Sequence, residues 1–405
     1  MHSLHIAHVV GFYVPGLGYE ENCLPVEQAR QGHNVCIVTS RRSPFPPHFT
    51  VSTVPSGGQS RTEQTSGGDP PVELHRLPST PSLHGQVVLL GLWRTLKRLR
   101  PDIVHAHGAL APNSIQCLLF ANSIGYSLFI DDHSHELNLH ADHGVRAEYV
   151  RLLAVLYRNF ERSVCAFLPI HSSSTNILHE RLGVPLGELV PHELGADHHL
   201  FAPSATQRQN RRQLLGLSNQ DLMLISTGKF TRDKDLDTLI RAVSLLPSYG
   251  DRVIVLLAGH IERESKEEIE ELAGRLGVTN RLRFQPFVPH GDLPGYYNAA
   301  DIGVWPGAPS ITVLEALATG LSCVLPLDEP AYRTIHDRGA ALGFRRRDPA
   351  SLADSINKLL SNAAYRLEIS KSCRRLIEEK LSWQAVCTRT LAVYDQLSHE
   401  KGLVA

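Results

Sequence analysis

LHIAHVVGFYVPGLGYEENCLPVEQARQGHNVCIVT, Leu4–Thr39, is the stretch that decides the fold. Leu4–Val10 is a short apolar run of strand length. Glu20–Gln31 follows with helical periodicity, and Asn34–Thr39 returns to a β-rich apolar run. Between these two, Gln31-Gly32-His33 places a glycine where a helix C-cap turns into the next strand. Strand, helix and a second strand apolar on both faces make the unit of a parallel, doubly wound sheet.

The same alternation runs through most of the chain. Ile103–Ala106, Ser127–Asp131 and Cys165–Ile170 read as further buried strands, and Val87–Leu99 as a helix. A second series begins near Leu222, with strands expected at Leu222–Thr227, Val253–Ala258, Leu282–Phe284, Ile302–Trp305 and Ser322–Pro326. Helices are expected between them at Leu236–Leu246, Glu264–Leu276, Leu293–Ala299 and Val313–Thr319. The pattern predicts two Rossmann-like α/β domains, 1–200 and 201–380, hinged around Val190–Ser204, where Pro191, Gly195 and Pro203 fall. The helical stretch after Ser382 comes too late for the second sheet, so 381–405 is set apart. Arg41–Pro71 breaks the rhythm with Pro, Ser, Gly and Thr; it reads as a long surface loop, either a lid or acceptor-facing insertion or plain disorder.

Composition excludes several classes. With 42% hydrophobic and 20% charged residues and a formal net charge of -1, the chain is globular and has no global field for nucleic acid. Its seven cysteines are scattered, with no pair at metal-ribbon or redox spacing, so reduced thiols in a cytoplasmic setting are expected. The opening MHSLHIAHVVGFYVPG lacks a basic region before a long apolar core and is expected to be a first strand, not a signal peptide. No apolar run reaches the length of about 18 residues needed to span a bilayer. Leu92–Arg100 is basic and amphipathic; it suits peripheral contact with anionic lipid, or the solvated outer face of a domain helix.

In open α/β sheets, ligands bind beyond the carboxyl ends of the strands, and four candidate segments fall there. Pro15-Gly16-Leu17-Gly18-Tyr19-Glu20 can bring main-chain N–H groups close to a ligand, or simply form a tight turn. Asp131-Asp132-His133-Ser134-His135-Glu136 looks like a metal motif, yet is only a local cluster. His133 therefore reads as a positioned polar group, and no metal is assigned, while His135, His140 and His143 are expected at the surface. Gly228-Lys229-Phe230-Thr231-Arg232-Asp233-Lys234-Asp235 sets two lysines five apart before a helix, which fits a diphosphate or solvated loop lysines. In Trp305–Gly320, Ser310 is a candidate N-cap, the N–H groups near Ile311 and Thr312 can hold phosphate, and Glu315 lies within reach of ribose hydroxyls.

At these residues the chain resembles the retaining glycosyltransferases of family 4. The resemblance rests on Gly32-His33-Asn34-Val35, Arg100 to Gly108 (RPDIVHAHG), His133, Pro191 to Phe201, Gly228-Lys229 with Lys234, Leu256 to Gly259, Phe284 to Tyr297, Glu315 to Gly320, and Ser382-Trp383. It implies a GT-B fold, two Rossmann-like doubly wound domains facing a central cleft. It implies a UDP- or GDP-sugar as co-substrate and no other cofactor. It also implies that Lys229 and Lys234 meet the donor diphosphate, with Gly228, Val288 and the Ser310-Ile311-Thr312 turn beside it. Glu315 matches the second Glu of the family's paired-glutamate signature, and His133 a histidine near the transferred sugar. Gly16 and Gly18 match the first-domain loop that closes on donor and acceptor. The last helix is expected to return to the first domain.

One departure stands out. The first glutamate of that signature falls at Gly307, and glycine is expected to leave its space empty or water-filled. The function implied is retaining transfer of a sugar from a nucleoside-diphosphate sugar to an acceptor hydroxyl, without a metal. A catalytically degenerate sugar-nucleotide binder and an epimerase of similar fold are the alternatives.

Overall fold

The computed structural model describes residues 3–43, 61–64, 70–82, 85–135, 144–246, 249 and 252–400. The chain divides into two compact units, Met1–Leu194 with Trp383–Ala405, and Gly195–Ser382.

The first unit is built on β1 (His5–Val9), β2 (Asn34–Ser40), β3 (Arg61–Gln64), β4 (Glu73–Leu77), β5 (Ile103–His107), β6 (Ser127–Asp132) and β7 (Ala166–Pro169). The order is β3-β4-β2-β1-β5-β6-β7, with only the edge strand β3 antiparallel. Every residue of β5 and β6 is buried, which requires cover on both sheet faces. The helix Glu20–Arg30 ends at Gly32, whose φ of 94° allows the turn into β2. The last helix, Trp383–Glu400, packs on Glu20–Arg30 in this unit.

The second unit is a wholly parallel sheet of β8 (Leu222–Phe230), β9 (Val253–Ile261), β10 (Leu282–Gln285), β11 (Ile302–Val304), β12 (Cys323–Pro326) and β13 (Ala341–Phe344). Its order is β10-β9-β8-β11-β12-β13. One contiguous apolar core, including Leu224, Val255, Ile302, Val313 and Val324, holds it together.

Several expectations need correction. The expected loop Arg41–Pro71 contains β3, and β4 follows directly; 44–60 and 65–69 lie outside the described residues. Val87–Leu99 is helical only from Leu92. Thr80 donates to the Val88 carbonyl and Leu90 to that of Pro78, so 87–90 is an extended piece, and Gly91 at φ 87° starts the helix. Gly228 does not end its strand. It faces Gly259 in register, and a Cβ on Gly259 would sit 1.9 Å from the Gly228 carbonyl oxygen. The two glycines permit this close approach, so the β8–β9 pairing continues through Lys229 and Phe230.

Candidate active site

Each sheet reverses its strand order once, between β1 and β5 in the first unit and between β8 and β11 in the second. Such switch points form the crevices where α/β sheets bind ligands. Polar side chains gather at both.

In the first unit, His8 on β1 stands in register with His105 on β5, and period-two alternation puts His107 on the same face. Asp131, at the end of β6, is fully buried among them. Its Oδ2 lies 3.1 Å from His105 Nε2 and 2.5 Å from His107 Nδ1, and its Oδ1 accepts from the Gly108 N–H at 2.7 Å. The second nitrogens of these rings are also engaged, His107 with His8 at 3.0 Å and His105 with the Tyr394 hydroxyl of the last helix. Glu20, the first residue of its helix and fully buried, meets His192 at 2.8 Å and His133 Nε2 at 2.9 Å. Asp131 Oδ2 stands 3.5 Å from the same His133 nitrogen.

Burial opposes charge throughout this cluster, but the partners decide the outcome. It would raise Asp131 and Glu20, yet His107 and His133 hold Asp131 well below the usual carboxylate range, and His192 and His133 lower Glu20. Burial would lower His133, yet Asp131 and Glu20 raise it well above an ordinary imidazole. His8 is driven down by burial and by its neighbours His105 and His107. Asp132, beside this network, is pushed up by burial to about 6. Two sets of three side chains, His105–His107–Asp131 and Glu20–Asp131–His133, bring ligand-type atoms within 4.8 Å. The cluster is therefore not local to one segment, as the sequence suggested, but drawn from a helix, two strands and the loop after β6. In the first set all four imidazole nitrogens already have hydrogen-bond partners, which fits a proton-sharing network.

Gly16, at φ 76°, and Gly18 lie in the turn that leads to Glu20. His133 keeps 39% of its side chain exposed. His135 is buried, with its ring against His171, contrary to the expectation of a surface position. His140 and His143 lie outside the described residues.

In the second unit, Lys229 is exposed at the end of β8. Lys234 is not a free loop lysine: its ammonium donates to the carbonyls of Ala308 at 3.1 Å and Pro309 at 2.8 Å. Burial lowers its pKa. The Ala308 N–H donates to the Asp233 carbonyl at 2.8 Å, so the turns at 232–234 and 307–309 are zipped together. A Cβ on Gly307 would fall 2.1 Å from the Asp233 oxygen and 2.4 Å from the Lys234 carbonyl carbon. The space expected to be empty at Gly307 is filled by main chain.

The helix after this turn is Thr312–Ala318, and Ile311, not Ser310, occupies its N-cap position. Ser310 Oγ instead pairs with Thr312 Oγ1 at 2.8 Å, and Thr312 Oγ1 donates to the Thr227 carbonyl at 3.1 Å. These bonds hold the turn beside Gly228, whose Cβ position lies 3.6 Å from Ser310 Oγ. Glu315 is buried, with Oε1 2.7 Å from His290 Nε2 and Oε2 accepting from the Tyr297 hydroxyl at 3.4 Å. The side chain of Val288 belongs to the apolar core, which leaves only its main chain for a ligand. Asp301 is engaged by Arg208 at 2.7 Å and Arg212 at 3.4 Å, a structural role.

The second unit thus brings Gly228, Lys229, Lys234, Ser310, Ile311, Thr312 and Glu315 to one switch point, while Gly16, Gly18 and His133 belong to the first unit. Sequence reasoning gave no role to Glu20, His105, His107, His192, His290 or Tyr297. The His-x-His spacing within a strand was the available signal for two of them.

Two doubly wound sheets of this kind, each with a polar cluster at its switch point, define a GT-B protein. Residues 24–195 match the glycosyl transferase 4-like domain, and residues 207–380 match the glycosyl transferases group 1. The chain belongs to the group 1, GT4-type glycosyltransferase family. It is 28% identical over 218 residues to a D-inositol 3-phosphate glycosyltransferase of Salinispora arenicola, covering 50% of this chain and 48% of that protein. It is 26% identical over 192 residues to an uncharacterized glycosyltransferase of Methanocaldococcus jannaschii, covering 46% of this chain and 48% of the other. The chain spans about half the length of the curated relatives it matches. Among solved structures, a glycosyltransferase from Rickettsia africae superposes with a TM-score of 0.75 at 16% identity, covering 98% of this chain and 99% of that one. Anabaena HepE in complex with UDP gives 0.74 at 15% identity, with 97% and 100% covered. No helix among the described residues is long and apolar enough to cross a membrane.

Proposed function

We propose that this protein is a retaining glycosyltransferase that moves a sugar from a nucleoside-diphosphate sugar to an acceptor hydroxyl. The observation that carries this reading is the second unit's switch point: an exposed lysine, an anchored lysine and a hydroxyl-pinned turn around Gly228, with a buried carboxylate a turn further on. One protein of the same fold, Anabaena HepE, has been solved with UDP and with UDP-glucose, which supports a nucleotide-sugar donor.

In this reading the bond from the anomeric carbon to the diphosphate oxygen breaks, and the leaving diphosphate takes the electron pair. Lys229 meets that charge directly. Lys234 acts from a fixed position, because two carbonyls hold its ammonium, and a fixed charge needs no reorganisation as the bond breaks. Glu315, oriented by His290 and Tyr297, accepts from the ribose hydroxyls. The acceptor oxygen forms its bond on the face the diphosphate leaves, and its proton departs with the diphosphate. His133, held between two carboxylates, is a charged donor toward a sugar hydroxyl and not a base. The cations supply the charge stabilisation, so turnover needs no divalent ion.

The test is calorimetric titration with UDP, GDP and their monophosphates, alongside turnover with a panel of nucleotide sugars. Diphosphates should bind more tightly, and Lys229→Ala should weaken them by about 10- to 100-fold, as loss of a charged hydrogen bond implies. Its melting temperature should stay unchanged, since Lys229 is exposed. Equal binding of mono- and diphosphates would sink the donor-site reading. Binding without turnover on any sugar would instead leave a degenerate binder, and turnover abolished by EDTA and restored by manganese would overturn the metal-free mechanism.

A further inference from the structure

The first unit carries a surface patch that the transfer chemistry does not use. The helix Leu92–Leu99 buries Leu92, Thr95 and Leu96 against the unit's core. Its opposite face presents Trp93, Arg94, Lys97 and Arg98, followed by exposed Arg100. Trp93 is 38% exposed, against 3% for Trp305 and 6% for Trp383, and Lys97 Nζ lies 4.6 Å above its ring. The extended piece leading into the helix adds Leu90, 50% exposed, and Val88. Gln116 exchanges two hydrogen bonds of 2.9 Å with the Leu89 main chain, which fixes the neighbouring helix Pro112–Ile124 beside this piece. One turn beyond Gln116, Leu119 is 47% exposed.

The charges around these apolar groups have one sign. Among the described residues of 85–100 there are four cations and no acid, and Pro112–Ile124 has no charged residue at all. Asp102, the nearest acid in sequence, accepts from the His5 N–H at 2.7 Å and is engaged within the fold. An indole and aliphatic side chains projecting between lysine and arginine heads match a bilayer interface. There the apolar groups enter the acyl boundary and the cations meet phosphate headgroups.

We propose that the face formed by Val88, Leu90, Trp93, Arg94, Lys97 and Arg98 docks this protein on anionic phospholipid membranes. Docking is peripheral and reversible, by shallow insertion of Leu90 and Trp93 with electrostatic attraction around them. It is independent of the donor site, and neither turnover nor nucleotide enters its test.

The probe is phosphatidylcholine vesicles with and without phosphatidylglycerol, read by co-sedimentation and tryptophan fluorescence. Trp305 and Trp383 are 3% and 6% exposed, so a blue shift on binding reports Trp93. The wild type should sediment with phosphatidylglycerol vesicles, release at high salt, and ignore pure phosphatidylcholine. The triple variant Arg94→Glu, Lys97→Glu, Arg98→Glu should lose binding by tenfold or more, roughly what reversing three surface charges implies. The double variant Leu90→Ser, Trp93→Gln should bind more weakly and lose the blue shift. Both replace exposed side chains, and unchanged circular dichroism and melting temperature exclude misfolding. Equal sedimentation with both vesicle types, or a triple variant that binds as the wild type does, overturns the proposal. So does concentration-dependent self-association that the variants abolish without any vesicle binding, which would make a second copy of the chain the occupant.

Discussion

At the first unit's switch point, Asp131 and Glu20 are fully buried charges surrounded by histidines from one strand and two loop positions. At the second, the main chain does most of the shaping: two facing glycines, a turn tied down by Lys234, and a lysine left exposed. The first arrangement spends desolvation on fixing side-chain protons and suits a few precise hydrogen bonds. The second leaves Lys229 exposed beside glycine main chain, which on the proposed reading suits a diphosphate. Substitutions should therefore separate the two. In the first unit they should act through electrostatics and pH, and in the second through space.

The largest effect is expected at Asp131. Asp131→Ala leaves His105, His107 and His133 without their shared acceptor and removes the Gly108 N–H contact. Breaking a buried pair of this kind costs about 3–5 kcal/mol. Because Asp131 is held below its ordinary 3.8, its contribution is present above about pH 4 and disappears as pH falls through the depressed value. Urea unfolding at neutral pH and near pH 3 checks both points. A variant as stable as the wild type at neutral pH would mean that the network is ornamental to the fold.

Gly307 comes next and probes the second unit. Even Gly307→Ala pushes a methyl against the Asp233 and Lys234 main chain and should cost about 1–3 kcal/mol, since backbone cannot step aside as a flexible side chain can. Gly307→Glu should therefore damage the lysine turn before it changes sugar preference, reversing the expectation that glycine leaves an open space. A fully stable Gly307→Glu that gains a new donor would show that the 232–234 turn yields. Measuring unfolding and UDP binding in parallel separates the cases.

These two sites also show what was legible in the sequence. Strands β1, β2, β5 and β6 could be read almost to the residue, because a strand buried on both faces is a near-continuous apolar run, interrupted here by the site's histidines and aspartates. β3 and β4 were not: Arg61–Gln64 and Glu73–Leu77 are polar strands toward one edge of the sheet, defined by their partners and not by periodicity. The lysines and Glu315 were visible as motifs after strands. Glu20, His192 and His290 were not, since their roles come from contacts across 172 and 25 residues of chain. At Gly307 the expected vacancy is filled by the Asp233 and Lys234 main chain, because sequence shows a missing side chain but not what takes its place.

The smallest expected change is the one that best isolates the first unit's electrostatics. Glu20→Gln keeps an amide oxygen for His192 but removes the charge beside His133. His133 is faced by Asp131 from β6, by Glu20 and Glu21 from the helix Glu20–Arg30, and by the imidazole of His107 across Asp131. With Glu20 neutral, its raised pKa should move back toward the ordinary 6.5, which a ring-nitrogen NMR titration reads directly. In the wild type, the raised His133 contributes stability that is fully present below about pH 6.5 and lost as pH rises through the raised value. The depressed Glu20 contributes stability that is present above about pH 4.5 and lost as pH falls through its lower value. The stability gap between wild type and variant should therefore be widest between about pH 4.5 and 6.5 and narrow on both sides. Glu20 also raises His8, His105 and His107, so their titrations shift downward in the variant together with that of His133. The His133 share of that gap should be only about 1 kcal/mol, because His133 is 39% exposed and water screens the pair. A gap that stays constant with pH, or a His133 titration that Glu20→Gln leaves in place, would reduce the network to a matter of shape.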